Sequence, residues 1–544
     1  MSIARQSLDE FLAPLAVDVS KVHSLAKSLC HTFTQLARES QNQFLSTPIS
    51  DTVLRPENDG EGRYLAIDIG GTNLRVGFIE LLGSNNEVQA EVKGNSNGNG
   101  DYQYGSRVKI YLEKAWPIGE QLKNNKAEDL FQWIGKCIAD VVQDGTQEWG
   151  PEKREALPLG VTFSFPMIQH TLSEATLMSM GKGFAITSNL DLGKLLLEGY
   201  ESTRDPSLPP IKITAIVNDS VATLVSFAYQ LRSDPKRKAA MGLIVGTGCN
   251  ATIPLAISKL HPSKRPAQIK VPDDSEDCPN LKITVNTEWT INGAAPPLHE
   301  LKFVTPWDTT LDAEGEAPGF QPFEYMTSGR YLGELGRLMV LDYFVNQLQV
   351  PLTSLPTKLR QRHGLTTTFF GNLGPHLSYR EPSILKQIET ELPPANGPDA
   401  WHWTYETADM VFKISKAIQK RAAGMTAAAV IALLGCADEI QLSALPSPST
   451  SFANGQSFHT LIEEPAVEEL MVGYTGGCIM HFQDYLQDCQ QFLDDIMNAE
   501  FGASKTKVPR VLLTPCHDGG IIGAGILAGT VMTIDARRDE GYTK

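Results

Sequence analysis

The sequence predicts an α/β protein of two lobes that face one cleft. Three observations carry this. Residues 65–79 read as an apolar strand, a Gly-Gly turn and a second apolar strand, with Asp68-Ile-Gly70-Gly71-Thr72-Asn73-Leu-Arg75 at the bend. Residues 242–257 repeat the plan roughly 180 residues later, with Gly246-Thr247-Gly248-Cys249-Asn250 at the bend. The chain has 544 residues, too many for a single hydrophobic core.

Each bend suits a phosphate. Glycine leaves backbone N–H groups bare because no Cβ blocks a ligand. Those groups, with Thr72, Asn73 and Arg75, match phosphate oxygens. Asp68 suits Mg²⁺, which prefers carboxylate and water oxygens and travels with a nucleotide. A Gly-Gly pair alone is better explained as an ordinary hairpin. The complete Asp-x-Gly-Gly-Thr-x-x-Arg run, repeated in altered form, points instead to ATP. Neither bend is a Walker loop, and neither follows the dinucleotide pattern.

Composition narrows the class. Apolar content of 42% and 33 prolines describe a folded globular chain. A net charge of −16 opposes nucleic acid as a partner, because a phosphate backbone demands a basic surface. The eight cysteines form no Cys-x-x-Cys pair, and no leader segment is evident, so reduced thiols and a cytoplasmic location are expected. The longest apolar run, near 425–437, is short of the roughly 20 residues that cross a bilayer, so a buried helix and no membrane are expected. No dense His/Cys cluster suggests zinc.

Along the chain, Val22, Leu25, Leu29, Phe33 and Leu36 place an amphipathic helix at 19–42. Residues 93–105 read as an exposed loop. Leu130, Ile134, Ile138, Val141 and Val142 share one face of a helix at 126–145. Residues 160–165 read as a buried strand, and 211–217 as another that delivers Asn218-Asp219 at its carboxyl end. A helix follows at 221–229. Residues 259–282 look like a surface excursion and 443–457 like a mobile loop. A strand at 510–514 leads into a Gly/Ala-rich helix at 519–532, able to pack close to a nucleotide.

A carboxylate at a strand end in a closing cleft can accept a sugar hydroxyl's proton. Asp219 fits that role, although a lone Asp there is also a good helix cap. Ser164, Lys182, Asn250, Glu288 and Glu324 each stand beside a strand end or turn. A sugar needs such scattered polar groups, one partner per hydroxyl, while any one of them alone reads as a surface residue.

These residues carry a resemblance. Asp-Ile-Gly-Gly-Thr-Asn-Leu-Arg, Phe-Ser-Phe-Pro, Gly-Lys-Gly-Phe, Val-Asn-Asp-Ser, Gly-Leu-Ile-Val-Gly-Thr-Gly-Cys-Asn-Ala, Asn-Thr-Glu-Trp and Ser-Gly-Arg-Tyr-Leu-Gly-Glu occur in that order. The chain resembles eukaryotic hexokinases from about residue 20 to 535. The resemblance implies a two-lobed actin-like ATPase (ribonuclease H-like) fold with sugar and ATP between the lobes. It implies that 1–63 form an N-terminal helix belonging to the large lobe. Residues 64–213 would form the small lobe, 214–518 the large lobe, and 519–544 a helix returning to the small lobe. Asp219 becomes the general base. Ser164, Gly181, Lys182, Asn218, Asn250, Glu288 and Glu324 surround the sugar. Asp68, Gly70, Gly71, Thr72, Asn73, Arg75, Gly246, Thr247, Gly248, Gly476 and Gly477 serve ATP, with Asp68 holding Mg²⁺ through water.

Departures refine the expectation. Hexokinases that use glucose usually read Trp-Thr-Lys-Gly-Phe where this chain has Met180-Gly181-Lys182-Gly183-Phe184, which opens room beside the sugar. Gly473-Tyr474-Thr475-Gly476-Gly477 replaces a Val-Asp-Gly-Ser segment, and Asp518-Gly519-Gly520 stands where Asp-Gly-Ser is usual. The chain is similar here to fungal-type N-acetylglucosamine kinases, which share Glu113-Lys-Ala-Trp116-Pro-Ile-Gly119 and residues 326–332. The expectation is N-acetylglucosamine 6-phosphorylation with ATP. A glucose or broad hexose kinase and a sugar-binding regulator with little turnover stand as alternatives.

Overall fold

The computed structural model describes residues 6–51, 61–83, 107–124, 126–150, 155–178, 190–231, 235–266, 269, 281–373, 382–395, 400–443, 467–503 and 508–541. Seven strands come first: β1 (Leu45–Ser50), β2 (Glu61–Ile69), β3 (Asn73–Leu82), β4 (Val108–Pro117), β5 (Leu157–Phe163), β6 (Met167–Thr171) and β7 (Glu174–Leu177). Six follow: β8 (Ile211–Val217), β9 (Arg237–Val245), β10 (Cys249–Ala256), β11 (Lys282–Asn286), β12 (Glu469–Thr475) and β13 (Arg510–Pro515).

Two sheets share one plan. The first runs β4-β3-β2-β5-β8, and the second runs β11-β10-β9-β12-β13 with β1 added outside β11. In each, an antiparallel hairpin and a third antiparallel strand precede two parallel strands. The two glycine bends therefore occupy equivalent places, β2–β3 in one sheet and β9–β10 in the other. β6 and β7 pair separately.

Alternation and burial explain the layers. Leu65, Ile67 and Ile69 of β2 point to one face, packed on the helices Ala127–Trp149 and Leu192–Glu201 through Leu130, Phe131 and Leu196. Tyr64 and Ala66 point to the other face, packed on the helices Asp219–Gln230 and Gly519–Gly541. The second sheet is covered by Val19–Glu39, Tyr405–Cys436 and Tyr485–Phe501. In the first of these, Val22, Leu25, Leu29 and Phe33 are buried, while Leu36 is half-buried and Ala37 takes the core position. Each large apolar side chain so buried contributes about 1.5–3 kcal/mol. Asp18 starts that helix by accepting from Lys21 N at 2.8 Å.

Several sequence expectations shift. The strand expected at 160–165 runs from Leu157 to Phe163, leaving Ser164 in the turn that follows. The apolar run near 425–437 is the last part of a helix of 32 residues. That helix and residues 519–536 are long and apolar enough for a membrane span, yet 89% and 72% of their apolar windows are buried in the fold, as core helices are. In the last helix a Cβ on Gly523 would run into the Ala222 carbonyl, so glycine permits the close crossing of the two helices. The β2 strand begins at Glu61, three residues before the expected lobe boundary. Within 259–282 the described part holds a 3₁₀ turn at Pro262–Lys264 and the start of β11. The loop read at 93–105, and 443–457 beyond Ser443, lie outside the described residues.

Candidate active site

The chain reverses at residues 70–72, where Gly70 N donates to Asn73 O at 2.9 Å. Gly71 and Thr72 form the bend, Ile118 N donates to Thr72 O at 2.8 Å, and Asn73 Nδ2 donates to Thr72 Oγ1 at 3.3 Å. Ser164 N donates to Ile69 O at 3.0 Å, which ties the end of β5 to the same place. Arg75 is held by two carboxylates, Glu113 at 2.6 Å and Asp518 at 2.7 Å. This explains Glu113 in the quoted motif. The guanidinium expected to meet phosphate bridges β4 and the start of the last helix through Nε and Nη2, two of its nitrogens.

Asp68 keeps some water-accessible surface, yet burial dominates its charge. Burial pushes its carboxyl up to about 7, the negative charge of Asp219 adds to the rise, and Arg75 opposes it. Gly520 sits against this carboxylate, so the side chain of a serine there would press into it. The sign for stability follows. A carboxyl raised in the folded state costs stability as pH climbs from the ordinary range near 4 through 7. Asp68→Asn removes that cost, so without a cation it stabilises the fold at pH 8 by a few kcal/mol, at most about 4, and by little at pH 4. Thermal denaturation at the two pH values checks this; equal shifts at both would refute it.

At the carboxyl end of β8, Asn218 rather than Asp219 caps the helix Asp219–Gln230, accepting from Ser220 N at 3.0 Å and Ser220 Oγ at 2.7 Å. Asp219 becomes the first helical residue, beside the partial positive charge of the helix start, with Oδ1 accepting from Ser220 N at 2.9 Å. Asn250 Nδ2 donates to Asn286 Oδ1 at 2.9 Å and Glu288 Oε1 at 3.2 Å, while its Oδ1 accepts from Glu288 N at 3.1 Å. Glu288 stands at φ 45°, a left-handed conformation costly for a non-glycine residue. Glu324 is buried and accepts from Cys249 N at 3.1 Å, so it touches the second glycine bend.

Ser164, Asn218, Asp219, Asn250, Glu288 and Glu324 line one cavity of about 270 Å³. Gly181 and Lys182 lie outside the described residues. A second cavity, of about 660 Å³, is lined by Gly246, Thr247 and Gly477. The bend between β9 and β10 faces both: Gly248 lines the first cavity, Gly246 and Thr247 the second. Gly476 stands at φ 118° against Gly246, a conformation closed to most other residues. Gly70, Gly71, Thr72 and Asn73 line neither cavity.

Two sequence profiles described as Hexokinase match this chain, one over residues 7–229 and one over 240–530. The chain belongs to the hexokinase family. The gap between the profiles runs from the end of the helix Asp219–Gln230 into the start of β9. Similar curated proteins include hexokinase of Schwanniomyces occidentalis, 32% identical over 321 residues, covering 56% of this chain and 58% of that protein. Hexokinase-1 of Saccharomyces cerevisiae is 32% identical over 317 residues, covering 58% and 56%. The chain thus spans a little over half the length of these curated relatives. A solved structure, hexokinase from Schistosoma mansoni complexed with glucose, aligns with a TM-score of 0.70 and 25% identity, covering 96% of this chain and 98% of that one. The hexokinase-type two-lobed fold is therefore the fold of this chain.

Residues of this hexokinase-family site that sequence reasoning missed are Asn42, Met178, Phe320 and Gln321 in the first cavity. Arg330, Thr367, Asn372 and His481 line the second. Arg330 was within a quoted motif, Ser-Gly-Arg-Tyr, and could have been weighed. The others come from distant segments with no local signature. Among the described residues no group of three metal-ligating side chains occurs. Mg²⁺ carried by a nucleotide needs only one or two carboxylates besides phosphate oxygens. Asp68 fits, with the negative charge of Asp219 close enough to add to the rise of its carboxyl.

Proposed function

We propose that this chain transfers the γ-phosphoryl group of ATP to the primary hydroxyl of a hexose. One observation carries the reading: a single glycine bend lines both a carboxylate-rich cavity of sugar scale and a larger neighbouring cavity. Sugar in the first and nucleotide in the second would meet at that bend. Asp219 takes the hydroxyl proton as the oxygen bonds to phosphorus, and the bond from phosphorus to the ADP oxygen breaks. Asn218 and Ser220 hold the start of the helix that presents Asp219. Mg²⁺ entering with ATP, on the Asp68 side, would supply charge neutralisation at the phosphates. Closure of the lobes would exclude water and so suppress hydrolysis of ATP.

The relatives' names, and the glucose in the Schistosoma mansoni structure, support glucose or another plain hexose as acceptor. N-acetylglucosamine is a second reading, favoured by Met180-Gly181 in place of Trp-Thr. Among the described residues seven cysteines are free thiols, six of them buried, which suits a reducing cytoplasm as the place of action. Release of ADP from ATP and Mg²⁺ with a panel of hexoses and amino sugars tests the reading. Sugar binding with no ADP release from any of them would make the chain a sugar-binding regulator. Gly181→Thr, by narrowing the site, is expected to shift the ratio of kcat/KM values toward glucose by about tenfold; an unchanged ratio would discard the steric argument.

A further inference from the structure

We infer that Thr252, with Gly242 opposite it, is a positioning residue that fixes Asp219 relative to the second glycine bend, an inference that rests on the sugar-kinase reading above. A base and the phosphate it serves must keep one geometry, because a shift of about 1 Å can cost roughly a hundredfold in rate. Asp219 begins a helix that follows β8 of the first sheet, while the bend joins β9 and β10 of the second. The helix packs on both of those strands, so its first turn is where the two parts can be held together.

A relay of hydrogen bonds makes the connection. Ser220 Oγ donates to Asn218 Oδ1 at 2.7 Å and lies 2.7 Å from Thr252 Oγ1. A hydroxyl has one proton to give, so Ser220, having given its own to Asn218, accepts from Thr252. Ser220 and Thr252 are both fully buried, where an unmade bond goes unsatisfied. Thr252 stands across the β9–β10 hairpin from Gly242. A Cβ on Gly242 would come within 2.6 Å of Ser220 O and 2.7 Å of Leu224 N, so its absence lets the first turn of the helix rest on the hairpin backbone. At one cross-strand pair the glycine supplies the room and the threonine the bond. Alternate side chains of a strand share a face, so Asn250 lies on the same face of β10 as Thr252. The bend at 246–248 closes the same hairpin. Thr252 lines neither cavity, so replacing it leaves the groups that line them in place.

The test compares the wild type with Thr252→Val, which keeps the shape and removes the hydroxyl, and Thr252→Ser, which keeps the hydroxyl. Three quantities are read: kcat by ADP release, the dissociation constant of the sugar by calorimetry, and amide hydrogen exchange over residues 218–224. Thr252→Val is expected to lower kcat about tenfold, hold sugar affinity within about twofold, and speed exchange at the helix start. Thr252→Ser is expected to keep all three within about twofold of the wild type. Unchanged kcat in Thr252→Val would overturn the inference. So would equal losses in both variants, which would assign the effect to packing of the threonine methyl. A loss of sugar affinity as large as the loss of kcat would overturn it too, by making Thr252 a general support. A wild type that releases no ADP with any sugar would defeat the kinase reading instead; hydrogen exchange in the two variants would then decide alone whether Thr252 holds the helix start.

Discussion

Asp219→Ala lowers kcat with every accepted sugar by about 10²–10⁴-fold, the usual contribution of a positioned general base. Sugar affinity stays within about tenfold, or roughly 1.4 kcal/mol. The asymmetry follows from the surroundings. Ser164, Asn218, Asn250, Glu288 and Glu324 line the same cavity and, on the proposed reading, would still hold the ring hydroxyls when the Asp219 side chain is gone. No other carboxylate of that cavity stands at the start of a helix of that length: Glu324 is engaged by Cys249 N, and Glu288 by the two asparagine amides. The helix start is untouched because its cap is Asn218. Single-turnover kinetics with calorimetry of sugar binding separates the two quantities. Unchanged turnover would move the base to another residue. A hundredfold loss of affinity would make Asp219 chiefly a binding group.

The second large effect is on stability. Asp308→Ala is expected to cost about 3–5 kcal/mol, because it strands a buried guanidinium. Arg421 is 1% exposed, and its two terminal nitrogens meet Asp308 at 2.7 and 2.8 Å. Its Nε has no hydrogen-bond partner, so the pair carries most of the compensation for that charge. Asp308 also closes the capping box of the helix Pro306–Ala313, accepting from Thr305 N at 2.8 Å and Thr305 Oγ1 at 2.6 Å. Urea denaturation measures the loss as a lower midpoint. Pairing Asp308→Ala with Arg421→Met should recover much of it, since an apolar replacement leaves no buried charge to satisfy. A loss below about 1 kcal/mol in the single variant would show that water reaches Arg421. Neither residue lines the two cavities, so sugar binding at low temperature should be unaffected.

Some of this protein was legible in one dimension. The two Gly-rich bends, the strand at 211–217 and the helix Val19–Glu39 depend on residues next to each other or one helical turn apart, so periodicity and turn chemistry exposed them. The family could be recognised for the same reason, through short runs of contiguous residues. Asn42, Phe320 and Gln321 had no such signal. They reach the first cavity from segments nearly 280 residues apart, and only the packing of β1 and the helices on the second sheet brings them together. Arg75 shows the other limit. Its type suits phosphate, but whether a guanidinium meets phosphate or protein depends on which carboxylates fold against it, here Glu113 and Asp518.

By itself, then, the order of residues determined the paired glycine hairpins, their strands, and the carboxylate waiting at the end of β8, because backbone conformation answers to near neighbours. Only the three-dimensional fold decided which face of each element is covered, which of Asn218 and Asp219 caps the helix and which begins it, and which distant residues complete the lining of the first cavity. Those outcomes depend on burial and charge pairing between residues hundreds of positions apart, where desolvation and Coulomb energy rather than local propensity set the result.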